Sequence, residues 1–176
     1  LEPQQLRGVI PGNTNSDFIY LTGAVISWWA RIEGIMTSDV MALRTWPFSA
    51  EIVDQKRFPL GGRDTVLQWR ALIINAYKAR NLSSPNLDKI VTDSLQLLWH
   101  RNCLSHSFWP YGQQEKSVLE LHWIKRKDSN PQGIERGTYR VTATELDKVN
   151  TRLANLCTAA LAASFNSHIV YRDHGA

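Results

Sequence analysis

The feature that most constrains this chain is a series of apolar stripes spaced at three- and four-residue steps. Ser16-Asp17 offers a helix cap, and from Phe18 onward Leu21, Val25, Trp28, Ile32 and Ile35 fall on one helical face. Glu33 lies just off that face, and the pattern fades at Trp46-Pro47, where proline removes a backbone donor. A second helix is expected from Asp64 to about Arg80, with Leu67, Ile73, Ile74 and Tyr77 as buried candidates. A third is expected to open at Ser84-Pro85, with Ser84 as cap. It carries Leu87, Val91, Leu95 and Leu98 and ends before Pro110. The last stripe is Leu146, Val149, Leu153, Leu156 and Ala160. It follows Thr142-Ala143-Thr144-Glu145, a capping box in form, in which threonine and glutamate satisfy the first free backbone donors.

The period changes once. Leu119, Leu121 and Trp123 alternate with Glu120 and His122, so residues 118–124 read as a strand, and Thr138 to Thr142 as its partner. Asp128, Ser129, Asn130, Pro131 and Gly133 form a polar connection between them. Residues 1–16, with Pro3, Gly8, Pro11 and Gly12, read as an irregular leader, and 47–63 as a loop. The expected fold is mainly α: one domain over residues 1–176, a four-helix up-and-down bundle with a small β-hairpin, 118–142, before the last helix. A chain of 176 residues with 43% hydrophobic and 20% charged residues can bury a core of that kind.

Composition sets outer limits on function. The formal charge of +4 permits a polyanionic partner without demanding one. Cys103 and Cys157 are the only cysteines, too few for a disulfide framework, so a reduced cytoplasmic setting is expected. The most apolar stretch, Phe18 to Trp29, is interrupted by Thr22, Gly23 and Ser27, so no membrane partner is expected. Seven tryptophans exceed what a core this size needs, which points some of them at an interface or groove.

Most chemical motifs fail on spacing. Leu60-Gly61-Gly62-Arg63 lacks the Gly-Lys-Ser/Thr of a phosphate loop and reads as a connection. His100, Cys103 and His106, three apart, would need a fourth metal ligand such as His122, and no metal or other cofactor is expected. Cys103 with His106 lacks the orienting third group of a nucleophilic pair. Lys125-Arg126-Lys127, with Arg136 and Arg140 across the hairpin, admits two readings: a track for an RNA backbone or a solvated tip.

The remaining segment is Arg101-Asn102-Cys103-Leu104-Ser105-His106. On an ideal helix Arg101 and His106 are turned about 140° apart, so periodicity does not pair them. As structural residues they would serve differently, Arg101 pairing with Glu33 and His106 bonding a terminal carbonyl. Arg101-Asn102, then His106 and Phe108-Trp109, nevertheless resembles the signature of HEPN proteins: an arginine, a polar residue, and a histidine four to six positions on at a helix end. The long first helix with Trp28, Trp29 and Glu33 is similar to theirs in outline. Where many relatives have a small residue before the histidine and glycine after it, this chain has Ser105 and Ser107.

The resemblance implies a homodimer with two such motifs across a cleft, and a metal-independent endoribonuclease, often the toxin of a toxin–antitoxin pair or a defence component. Arg101 and His106 would be catalytic, with Asn102 orienting the phosphate or His106, and Glu33 holding Arg101. The alternative is a non-catalytic HEPN-like module that binds RNA, a nucleotide or a partner protein.

Overall fold

The computed structural model describes residues 15–44, 61–79, 81–84, 86–107, 117–127 and 130–164, and within the hairpin the side chains of 125–127 and 130–134 are not described. The chain forms helices α1 (Asn15–Arg44), α2 (Gly62–Ala79) and α3 (Asp88–His106), strands β1 (Val118–Lys127) and β2 (Asn130–Thr142), and helix α4 (Ala143–Ala163). This is the expected mainly helical fold, with the hairpin before the last helix. The leader falls almost wholly outside the described residues, as do Trp46, Pro47 and Pro85.

α1 is the spine of the bundle, flanked by α4 and α2, and α3 closes the ring between those two. Its buried face is Phe18, Leu21, Val25, Trp29, Ile32, Met36, Val40 and Leu43. That seam advances in strict steps of three and four, and it selects Trp29 rather than the expected Trp28, one residue or about 100° away. Trp28 is half-buried at the margin, with the Arg31 guanidinium 5.2 Å from its ring centroid. In α2 the buried apolar residues are Val66, Trp69, Leu72, Ile73 and Ala76, which turns Leu67 outward, 42% exposed. The α4 stripe is buried as expected.

Cross-links fix the helix directions. Asn150 Nδ2 donates to the Leu21 carbonyl at 3.1 Å, and Ser164 Oγ donates to Asp39 Oδ1 at 2.8 Å. Both contacts advance together along the two helices, so α1 and α4 run parallel. α3 is antiparallel to its neighbours: Arg70 meets Asp88 while Gly62 lies against Leu98, and Arg152 meets Asp93 and Gln96 while Tyr139 meets His100. The bundle therefore departs in one detail from simple alternation. α2 runs with α1, since Gly62 lies against Trp29 while Trp69 meets Asp39 further along both helices.

Local boundaries follow local chemistry. α4 opens on the expected capping box: Thr142 Oγ1 accepts the Glu145 N–H at 3.2 Å, and Glu145 Oε2 accepts the Thr142 N–H at 2.7 Å. α3 starts at Asp88, later than expected, since the Asn86 side chain accepts the Asp88 N–H at 3.1 Å and Ser84 stays outside the helix. The strands outgrow their expected limits, pairing antiparallel from Val118↔Thr142 to Arg126↔Ile134, with an irregularity between Arg126 and Lys127. Pro131 and Gly133 are thereby part of β2 rather than of a long polar loop. A two-stranded ribbon tolerates them because each strand has a free edge. Trp123 lies flat over Gly137 on the opposite strand, where any Cβ would enter its indole ring.

Asp39, fully buried, ties three elements together. Its Oδ2 accepts the Trp69 indole N–H at 2.9 Å, and its Oδ1 accepts the Ser164 hydroxyl. Asp39→Ala orphans both donors and is expected to cost about 2–4 kcal/mol in denaturant unfolding. A loss under about 1 kcal/mol would mean the cluster is not a structural tie.

Candidate active site

The last two turns of α3 present two faces with different duties. His100 reaches Tyr139 of the hairpin and Cys103 and Leu104 are buried, while Leu98, Arg101, Asn102 and His106 line one opening. The first group locks the hairpin. His100 Nδ1 and the Tyr139 hydroxyl are 2.7 Å apart, their rings edge-to-face at 5.8 Å. Beside them, half-exposed Trp99 meets Trp123 edge-on at 5.9 Å.

Burial governs this inner cluster. It lowers the pKa of His100, helped by the Arg152 charge and opposed by Glu145. It raises Tyr139, with Cys103 and Glu145 adding to the effect. Burial also pushes the Cys103 thiol up to about 11, so Cys103 is not a ready thiolate nucleophile. His100, Cys103 and His106 do not converge. Among the described residues no group of three His, Cys, Asp or Glu side chains gathers as a metal site.

The outer face lines an open pocket of about 420 Å³, within the range of small-ligand pockets. Leu98, Arg101, Asn102 and His106 form one wall, and Gly61, Gly62, Arg63 and Asp64 at the start of α2 form the other. Arg101, half-buried, donates from Nη1 to Asn102 Oδ1 at 3.0 Å. That bond turns the Asn102 oxygen toward the guanidinium and leaves its NH₂ to donate elsewhere. His106 is exposed and is the last residue of α3. Ser107 then leaves the helix at φ −96°, ψ 156°, an extended conformation that any residue adopts, so no glycine is needed after His106.

The structure thus brings Arg101, Asn102 and His106 to one pocket despite their spacing. Glu33 does not join them: it is half-buried on α1 and makes no ion pair with Arg101. Lys125, Arg126 and Lys127 sit at the far end of β1, and their side chains lie outside the described residues. Arg136 and Arg140 are exposed on β2, with Arg140 Nε 3.1 Å from Glu120 Oε2.

The sequence reading missed the second wall. Its signal was the Gly61-Gly62 pair, read there as a plain connection. A Cβ at Gly62 would stand 3.0 Å from Leu98 Cδ1 and 3.2 Å from Trp29 Cζ2, tighter than ordinary contact, so glycine lets α2 begin this close to α3 without displacing either side chain. No described helix is long and apolar enough to cross a membrane.

Comparison with protein-family models, with curated proteins and with solved structures finds no match. The likeness to HEPN proteins rests on the chain's own residues.

The inner cluster makes a prediction about pH. Folded His100 titrates below its ordinary value of 6.5, so the unfolded chain takes up the proton first. Its contribution is fully present above about 6.5 and is lost as pH falls through the lowered value. Glu145, held low by its hydrogen bonds from Thr142, acts in the same direction but in the more acidic carboxylate range. In His100→Gln, urea unfolding from pH 7.5 to 5 should lose stability less steeply than in the unaltered chain. Equal slopes would clear His100 of the acid sensitivity.

Proposed function

We propose that this protein is a metal-independent endoribonuclease of HEPN type. The observation that carries the reading is the pocket wall shared by Arg101, Asn102 and His106, a cation, an amide donor and an exposed imidazole around one opening. These are the groups that internal cleavage of RNA calls for. His106 takes the proton from a ribose 2′-hydroxyl as its oxygen attacks the adjacent phosphorus. Arg101 holds the non-bridging oxygens as negative charge grows on them, and the free NH₂ of Asn102 adds a further donor. The P–O5′ bond breaks, the 5′-oxygen takes a proton from water, and a 2′,3′-cyclic phosphate remains. His106 then returns its proton to solvent, so beyond water every group in the scheme belongs to this chain or to the substrate.

The same reading takes the protein as a cytoplasmic homodimer with two such pockets facing a common RNA, and as a toxin–antitoxin or defence component whose antitoxin protein covers the pocket. The basic run Lys125-Arg126-Lys127 would engage the RNA backbone away from the cut.

The test is cleavage of mixed cellular RNA by the pure protein in excess chelator. His106→Ala should lower the rate about 10²–10⁴-fold, and Arg101→Ala about 10²–10³-fold, each with an unchanged melting temperature. Products should carry 2′,3′-cyclic ends. Failure of the folded, unaltered chain to cut any RNA would sink the reading, and retained binding of RNA, a nucleotide or a protein would then mark a non-catalytic module.

A further inference from the structure

Resting on the nuclease reading but testable apart from it, we propose that Arg63 binds a second substrate phosphate. The pocket would then hold two consecutive phosphates of one strand: the scissile one at Arg101 and His106, its neighbour at Arg63. Arg63 lines the same opening as Arg101, from the start of α2 rather than from the motif. It is exposed, and among the described residues its guanidinium has no acidic partner, so its charge is free for a ligand.

Its place is built rather than incidental. The α2 start is closed by the Gly61 carbonyl, which accepts the Thr65 N–H at 3.0 Å and the Thr65 hydroxyl at 3.2 Å. Gly62 then seats this turn directly on Leu98 and Trp29, fixing the distance between the arginine-bearing walls. Asp64 lines the same pocket and weakens its pull on an anion, yet the two guanidinium groups outweigh the one carboxylate. A guanidinium fork suits the paired oxygens of a phosphate, and two forks on opposite walls suit a strand threaded between them.

The consequence is a minimum substrate. A dinucleoside monophosphate offers one phosphate and would use half the pocket. The experiment measures binding of UpU, pUpU and UpUp by calorimetry to the full chain carrying His106→Ala, which prevents turnover. One of the terminal phosphates is expected to tighten binding about tenfold, a gain absent when Arg63→Ala is added and partly restored by Arg63→Lys. Asp64→Asn should move affinity the other way, tightening binding of the doubly phosphorylated ligand.

A gain that survives Arg63→Ala, no gain from either terminal phosphate, or no binding at all would overturn the proposal. RNA cleavage by the unaltered chain is scored separately. Cleavage without an Arg63-dependent gain removes the second phosphate site and leaves the nuclease. An Arg63-dependent gain without cleavage keeps the phosphate site and removes the nuclease.

Discussion

A carboxylate sealed inside one end of the bundle sets the arrangement of the helices around it. Asp39 receives a hydrogen bond from an indole on α2 and another from the residue that ends α4, so three elements must meet at one height on α1. A buried carboxylate is costly to leave unsatisfied, and slippage of either neighbouring helix would strip it of a partner. Hydrophobic burial along α1 is generous but not selective, because a seam of Leu, Ile and Val packs acceptably in several registers. Asp39 at one end and the Asn150-to-Leu21 bond at the other select one register, and with it the parallel course of α1 and α4.

Fixing α1 against α2 has a consequence for the pocket. Trp29 and Leu98 meet at Gly62, so the same core that buries the tryptophan draws the first turn of α2 onto the end of α3. On the opposite side, Tyr139 and Trp123 of the hairpin hold His100 and Trp99. The last turns of α3 are thereby clamped between α2 and the hairpin. A short motif at a helix end is otherwise prone to fraying. Here the packing around Arg101 and His106, rather than the motif itself, keeps their side chains at a common opening.

How much of this was legible in the sequence depended on the range of the interaction. The capping box of α4 and its stripe from Leu146 to Ala160 were readable because each involves neighbours within a few turns. The strand alternation at Leu119 and Leu121 was readable for the same reason, although its extent was not, since a free ribbon edge excuses Pro131 and Gly133. The choice of Trp29 over Trp28 required the full length of α1, and a short window left it one position off. Asp39 gave no sign at all. Its partners are 30 and 125 residues away, and a lone acid beside a stripe reads as a solvated one. For the site, Arg101, Asn102 and His106 were visible as residue types, whereas the wall formed by Gly61 to Asp64 was not, because no local pattern tells which helix end a glycine pair will touch.

The two faces of α3 also separate two roles that one helix end usually mixes. His100 is spent on structure: it is half-buried and bonded to Tyr139, and its burial disfavours the charged form more than Glu145 favours it. His106, six residues on, is exposed beside a guanidinium and an amide and is free of structural duty in the core. The acid sensitivity expected of the fold therefore runs through the first histidine, while the proposed chemistry runs through the second. Because His100 alone of the two meets the hairpin, changing the exposed imidazole leaves that contact intact. Loosening the hairpin, by contrast, frees the helix end and disperses the pocket. In the proposed reading activity thus depends on the buried face of α3, whereas the buried face does not depend on His106.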